Sequence, residues 1–178
     1  PFNVAYVPDF KGNTQEAIYF NGVDSRITVD NRPVMNPQDG ITVSTWFRAN
    51  DLPAKETFLL SHGSWQNRWK ISFTPEKKLR WTVNTTGGIG DLDTDFAMQT
   101  DSFYHIATAF DGNLLLIYIN GELQSYKQLS GKIRTTTLPL LMGQMLPGNT
   151  EYNFKGVIDE VRIFDYALNP EAARKLCD

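Results

Sequence analysis

Cysteine is nearly absent from this chain: Cys177, the second-last of 178 residues, is the only one. No intrachain disulfide can form, so cysteine usage assigns no redox compartment. Histidine is almost as scarce, with His62 and His105 alone, and these two lack the spacing of a metal site. No stretch approaches the ~20 apolar residues of a membrane-spanning helix. The net charge of -3 is too small for a field that would recruit nucleic acid. No signal peptide is visible, and the chain, which starts at Pro1 without a Met, reads as a mature or trimmed piece. Helical periodicity is missing until the end, where Asn169 can cap, Pro170 takes the first helical position and Glu171 opens "EAARKL".

What the chain does have is alternation. "AIYF" and "SRITVD" flank a tight "NGVD" turn, and "ITVSTWFRA" follows "PQDG". "RWKISFT" and "LRWTVN" flank "PEKK", while "YHIATAF" and "LLLIYI" flank "DGN". "YINGELQSY" turns at Asn120-Gly121, a strong hairpin signal. "TFLLS", "PLLMGQ" and "VIDEVRIF" complete the set, about ten strands with turns at sandwich spacing. The pattern predicts an all-β, antiparallel, two-sheet sandwich over 17–178, closed by a short C-terminal helix. Residues 1–16 read as an arm. A single domain of this length buries roughly 70% of its unfolded surface and needs no disulfide or metal to fold.

In "VIDEVRIF", strict alternation puts Val157, Asp159, Val161 and Ile163 on one face and Ile158, Glu160, Arg162 and Phe164 on the other. Asp159 and Glu160 then point apart, whereas a glycosidase pair must converge across one bond. Glu160 reads as an in-sheet ion-pair partner of Arg162. "DLDTD", after the glycine-rich "TTGGIG", reads as a loop that lacks the Gly and distal Glu of a calcium motif. His105 reads as structural. No Ser–His–Asp or Cys–His grouping and no phosphate-cradling glycine motif is evident.

The aromatics carry more. Trp69, Ile71 and Phe73 share a face, as do Leu79, Trp81 and Val83, and both sets read as core. Arg68, Lys70 and Ser72 then lie opposite, beside Arg80, Thr82 and Asn84. These form either a basic, hydrogen-bonding floor suited to an acidic or sulfated glycan, or an ordinary solvated face. Trp65 stands in the polar loop "HGSWQN", away from any period, and is the preferred stacking residue. Trp46 is a second candidate, or packs under a loop. Tyr152, in "PGNTEYNF", is a weaker rim candidate.

"AIYFNGVDSRITVD", "ITVSTWFRA", "FLLSHGS", "YHIATAFDGNLLLIYINGEL" and "FKGVIDEVRIFDYALNPEAARKL" occur in that order. Together they resemble the bacterial branch of the laminin-G-like, concanavalin-A-like lectin/glucanase superfamily. The resemblance implies a jelly roll of two packed, curved sheets, with sugars on the concave face or its rim loops. It also implies a structural calcium (Ca2+) held by Asp159 with oxygens of the Asn21–Asp24 turn. Here Asn21 stands where many relatives have Asp. The other reading is that Asp159 accepts hydrogen bonds from that turn. The related laminarinase-type hydrolases carry a Glu-x-Asp-x-(x)-Glu run, which is missing here.

The expectation is a non-catalytic, lectin-like carbohydrate-binding module of a larger secreted or surface bacterial protein. A glycan is its partner, held by Trp65, Trp46, Arg68, Arg80 and Asn84. An adhesion or spacer domain and a glycoside hydrolase or polysaccharide lyase on the same fold are the alternatives.

Overall fold

The computed structural model describes residues 1–177. Thirteen strands are present among them: β1 (Ala5–Val7), β2 (Ala17–Asn21), β3 (Ile27–Val29), β4 (Ile41–Asp51), β5 (Thr57–His62), β6 (Trp69–Phe73), β7 (Leu79–Thr85), β8 (Gly88–Asp93), β9 (Phe103–Phe110), β10 (Leu114–Ile119), β11 (Glu122–Gln128), β12 (Leu140–Met142) and β13 (Lys155–Phe164). Two short α-helices, α1 (Ser64–Asn67) and α2 (Pro170–Lys175), and a 3-10 turn at Pro33–Met35 accompany them. The strands form a seven-stranded sheet, β1-β2-β13-β4-β9-β10-β11, and a six-stranded sheet, β3-β12-β5-β6-β7-β8. All strand pairings are antiparallel.

The core lies between the sheets. Trp69, Ile71 and Phe73 of β6 and Leu79, Trp81 and Val83 of β7 are fully buried there with Ile41, Val43 and Phe47 of β4. Trp81 donates from Nε1 to the main-chain oxygen of Ala109 at 3.1 Å, tying one sheet to the other. This meets the need of a buried indole for an acceptor. The alternation of these strands therefore does set the inward face.

Two strands were not expected. β1 lies in the arm and pairs with β2, Tyr6 opposite Ile18. Phe10 extends the arm over the outer face of the seven-stranded sheet and stacks on Trp46, with ring centroids 4.0 Å apart and planes 9° apart. The other is β8, which holds most of the segment read as a loop. Its pattern is masked because the inward position before Leu92 is Gly90. A Cβ there would come within 2.9 Å of both Leu115 and Leu129. Glycine is what lets these two side chains close over the edge strand.

The last strand also departs from strict alternation. A β-bulge shifts the register between Asp159 and Arg162, and Glu160 takes a left-handed φ of 48°. Ile158 joins the core and Val161 packs against it. Asp159 turns the opposite way, toward the arm, so it does not share a face with Val161. The bulge re-aims the side chains beyond it. Glu160 and Arg162 do pair, at 2.7 Å.

α2 begins as its sequence requires, with the Asn169 side chain accepting from the Ala172 N–H at 2.8 Å. Its Ala173 packs with Ala107 and Tyr118, outside the main core. Among the described residues, no helix is long and apolar enough to cross a membrane.

Candidate functional site

The outer face of the six-stranded sheet is built by the positions opposite the core. Ser72 lies across from Arg80, and Lys70 from Thr82. On the far side of β7, Arg80 faces Asp93 and Thr82 faces Asp91. Trp65 stands above this floor on α1, with 42% of its surface exposed. Glu56, Trp65, Lys70, Arg80, Ile89 and Asp91 line a shallow cleft of about 200 Å³.

α1 is a single turn and cannot be stable alone. Asn84 holds its end: Nδ2 donates to the main-chain oxygens of Trp65 at 3.2 Å and Gln66 at 2.8 Å. Carbonyls at a helix end need such donors. The Asn84 oxygen accepts from Arg134 Nε at 3.2 Å. Asn84 is therefore a buried support for Trp65, and its amide is already engaged.

The expected basic floor is charge-paired. Arg80 holds Asp93 in a fork, Nε to Oδ1 at 2.7 Å and Nη2 to Oδ2 at 2.8 Å. The Asp93 carboxylate is the largest of the causes that push the guanidinium pKa above its ordinary value. Asp91 accepts from the Thr82 hydroxyl at 2.5 Å, and its other oxygen lies 3.8 Å from Arg80 Nη1. Lys70 is ion-paired to Glu56, which also accepts from Ser72 at 2.8 Å. The Lys70 ammonium lies 4.8 Å from the centre of the Phe58 ring. Burial pulls its pKa below the usual lysine value, against the pairing with Glu56. The acids were missed because Glu56 comes from outside the alternating runs and Asp91 and Asp93 sit on the unrecognised β8.

Tyr152 approaches the same face from the loop before β13, its ring 6.1 Å from that of Phe58. Its phenol pKa is raised by Glu151 first, with Glu56 contributing.

The other sugar-site candidates lie elsewhere. Arg68 is fully buried, donating to the main-chain oxygens of Arg134 at 2.6 Å and Pro37 at 2.7 Å. It cross-links covering loops, and burial lowers its pKa to about 10. Trp46 is on the other sheet, capped by Phe10 and 5.3 Å from the His105 ring. It packs under the arm and shares no site with Trp65. Of the five residues, the structure brings Trp65 and Arg80 together, with Asn84 beneath.

Both histidines are buried and tied. His62 Nε2 is 3.0 Å from Asn31 Oδ1 and 3.1 Å from the Leu138 oxygen. Desolvation, then the Arg68 charge, lowers its pKa to about 4. His105 is bracketed by Ser44 Oγ at 2.8 Å and Cys177 Sγ at 2.9 Å. Burial again dominates, with its pKa lowered to about 4.

The calcium residues do not converge. The Asn21 Oδ1 accepts the N–H groups of Val23, Asp24 and Ser25 at 2.8, 3.1 and 3.2 Å. Asp24 accepts from Asn21 Nδ2 and, with both oxygens, from Asn3 Nδ2, each at 2.9 Å. The turn is thus closed by its own amides. Lys155 is the β13 residue opposite Asn21. Asp159 lies four positions farther on, ~13 Å along the strand. Asp159 therefore neither shares a metal with the turn nor accepts from it, and these three residues do not fit one calcium. Its Oδ1 accepts from the Glu160 N–H at 2.8 Å. Burial first, then the charges of Glu160 and Asp9, raises its pKa. Among the described residues, no three His, Cys, Asp or Glu side chains group to hold a metal.

A family model described as the concanavalin A-like lectin/glucanases superfamily matches residues 14–173. Among proteins of curated function none matches. Several solved structures share the fold. The binding domain of Paraclostridial Mosquitocidal Protein 1 is 23% identical with a TM-score of 0.80, over 99% of this chain and 45% of that one. Domain 4 of AbnA, a GH43 extracellular arabinanase from Geobacillus stearothermophilus, seen in complex with arabinotriose, is 22% identical with a TM-score of 0.77, over 100% and 82%. The W1252A mutant of HCR D/C VPI 5995 is 14% identical with a TM-score of 0.75, over 98% and 45%. At these identities the likeness is one of fold, and this chain spans under half the length of two of the three.

Proposed function

The chain belongs to the concanavalin A-like lectin/glucanases superfamily, and from that premise we propose that it is a non-catalytic, lectin-like carbohydrate-binding module working within a larger secreted or surface bacterial protein. The observation that carries this is the exposed indole of Trp65 beside a floor of fixed polar groups, Arg80, Asp91, Lys70 and Glu56. A sugar presents a C–H face to an aromatic ring and hydroxyls to such donors and acceptors. Binding sites pair apolar surface with a few placed polar groups in this way. Domain 4 of AbnA, similar in fold, was solved with arabinotriose, which supports the same use of the fold here.

A hydrolytic reading has less support. The acids on the floor are Glu56, Asp91 and Asp93, and each already serves a cation or hydroxyl of the protein. Glycoside cleavage needs one carboxyl to donate a proton to the leaving oxygen and a second to act from across the bond. Binding needs only the arrangement present.

The test is a glycan-array screen followed by calorimetry on the wild type and Trp65→Ala. The expected result is saturable binding that Trp65→Ala abolishes while the circular dichroism spectrum stays unchanged. Binding that survives the substitution removes Trp65 from the site. A blank array with a folded protein transfers the assignment to an adhesion or spacer role.

A further inference from the structure

We infer that this site selects uncharged oligosaccharides and discriminates against uronate-bearing or sulfated ones. The inference rests on the glycan-binding reading above and adds the ligand's charge class. It follows from where the charges of the floor are already committed.

Both cations under Trp65 are matched before any ligand arrives. Arg80 spends two donors on Asp93. Lys70 is bonded to Glu56 and Ser72 and lies against the Phe58 ring. Against these two cations stand three carboxylates, Glu56, Asp91 and Asp93. Among the described residues, the further cation bonded to a residue lining the cleft is Lys127, which reaches the main-chain oxygen of Asp91 at 3.0 Å from β11. Counting it brings the floor to neutrality and no further. An incoming carboxylate or sulfate would have to displace an existing partner or sit beside Asp91. Like charges brought together across an interface oppose binding and reject wrong partners.

A neutral sugar meets a different surface. The space between Arg80 Nη1 and Asp91 Oδ2 is 3.8 Å, too wide for a hydrogen bond. One group that both accepts and donates can bridge it, accepting from the guanidinium and donating to the carboxylate. A hydroxyl has that capacity, whereas an ionised carboxylate or sulfate oxygen only accepts. The site thus offers a donor–acceptor pair for a hydroxyl, a planar indole for a C–H face, and Ile89, 48% exposed, as an apolar edge.

The experiment is affinity electrophoresis and calorimetry with matched ligands: neutral arabino-, xylo- and galacto-oligosaccharides against oligogalacturonate and sulfated galactan fragments. It is run at low and high salt, on the wild type, Trp65→Ala and the double variant Asp91→Asn/Asp93→Asn. Both acids sit in partly exposed pairs, whose loss perturbs folding little. Asp91→Asn alone is the fallback if circular dichroism shows the double variant unfolded. A neutral oligosaccharide is expected to bind, insensitive to salt and lost with Trp65→Ala. Anionic fragments of the same length should bind at least about tenfold more weakly, a gap of ~1.4 kcal/mol. Freeing Arg80 in the asparagine variants should narrow or invert the gap. Tighter binding of anionic fragments, lost with Trp65→Ala and weakened by salt, overturns the inference while leaving the glycan site standing. Binding indifferent to Trp65→Ala, or none across the panel, overturns both.

Discussion

Arg80 and Asp93 face each other across β7 and β8 and are joined by two parallel hydrogen bonds of 2.7 and 2.8 Å. The fork fixes the plane of the guanidinium, and so sets where its remaining donors point. Lysine keeps the charge but offers a point donor on a flexible stem. Arg80→Lys is therefore expected to weaken oligosaccharide binding several-fold. The stability cost should stay near 0.5–1 kcal/mol, since the pair is partly exposed. Calorimetric titration beside a urea melt checks both. An equal loss in both measurements would make the pair a strand clamp with no part in recognition.

Arg68 should behave in the opposite way. It is buried and donates to Arg134 and Pro37 main-chain oxygens, and hydrogen bonds from charged groups contribute ~1.5–3 kcal/mol each. Arg68→Ala is expected to cost about 3 kcal/mol or more in urea unfolding. The folded fraction should retain wild-type affinity for sugar. A small cost would show that the loops it joins are held by other contacts.

His62 and His105 set an acid limit. Each has its pKa lowered to about 4 in the folded state from an ordinary 6.5. The unfolded chain therefore binds protons first as pH falls. The stability associated with keeping both rings neutral is present above pH 6.5 and is lost between 6.5 and about 4. The melting temperature should fall across that window, and His62→Gln should flatten the fall. A flat profile in the wild type would mean both rings take up protons in the folded protein as readily as in solution.

Asp159 has the reverse linkage. Its folded pKa lies above the ordinary 3.8. The stability tied to its protonated form is complete below 3.8 and is lost as pH rises through the folded value. Asp159→Asn keeps an acceptor for the Glu160 N–H and removes the buried charge. It should melt at or above the wild-type temperature at neutral pH, with the difference vanishing in acid. EDTA and added calcium should leave both proteins unshifted. A calcium-dependent rise lost in Asp159→Asn would put a metal on that carboxylate.

The inward face was legible in β6 and β7 because both alternate with large apolar residues whose burial is local to each strand. The family resemblance was legible from the ordered motifs, and the matched span of 14–173 agrees with it. The floor's chemistry was not. Gly90 hides the inward position of β8, so Asp91 and Asp93 seemed to belong to a loop and Arg80 seemed unpaired. The bulge was hidden because its left-handed residue is Glu160, where glycine would have flagged it. Arg68 follows the outward alternation of β6, and only loops far away in the chain bury it. Trp46 is covered by Phe10, 36 positions earlier. No local pattern records a contact of that range.

Asn84 grips α1 by two carbonyl oxygens, groups that every residue possesses. The mount of the aromatic is thereby independent of which side chain it carries. Residue 65 can vary without loosening the turn, and the exposed Ile89 can vary with it while strand pairing beneath is untouched. The scaffold separates holding from choosing, so ligand preference can drift, or be engineered, by exchanging a few surface side chains on an unchanged frame.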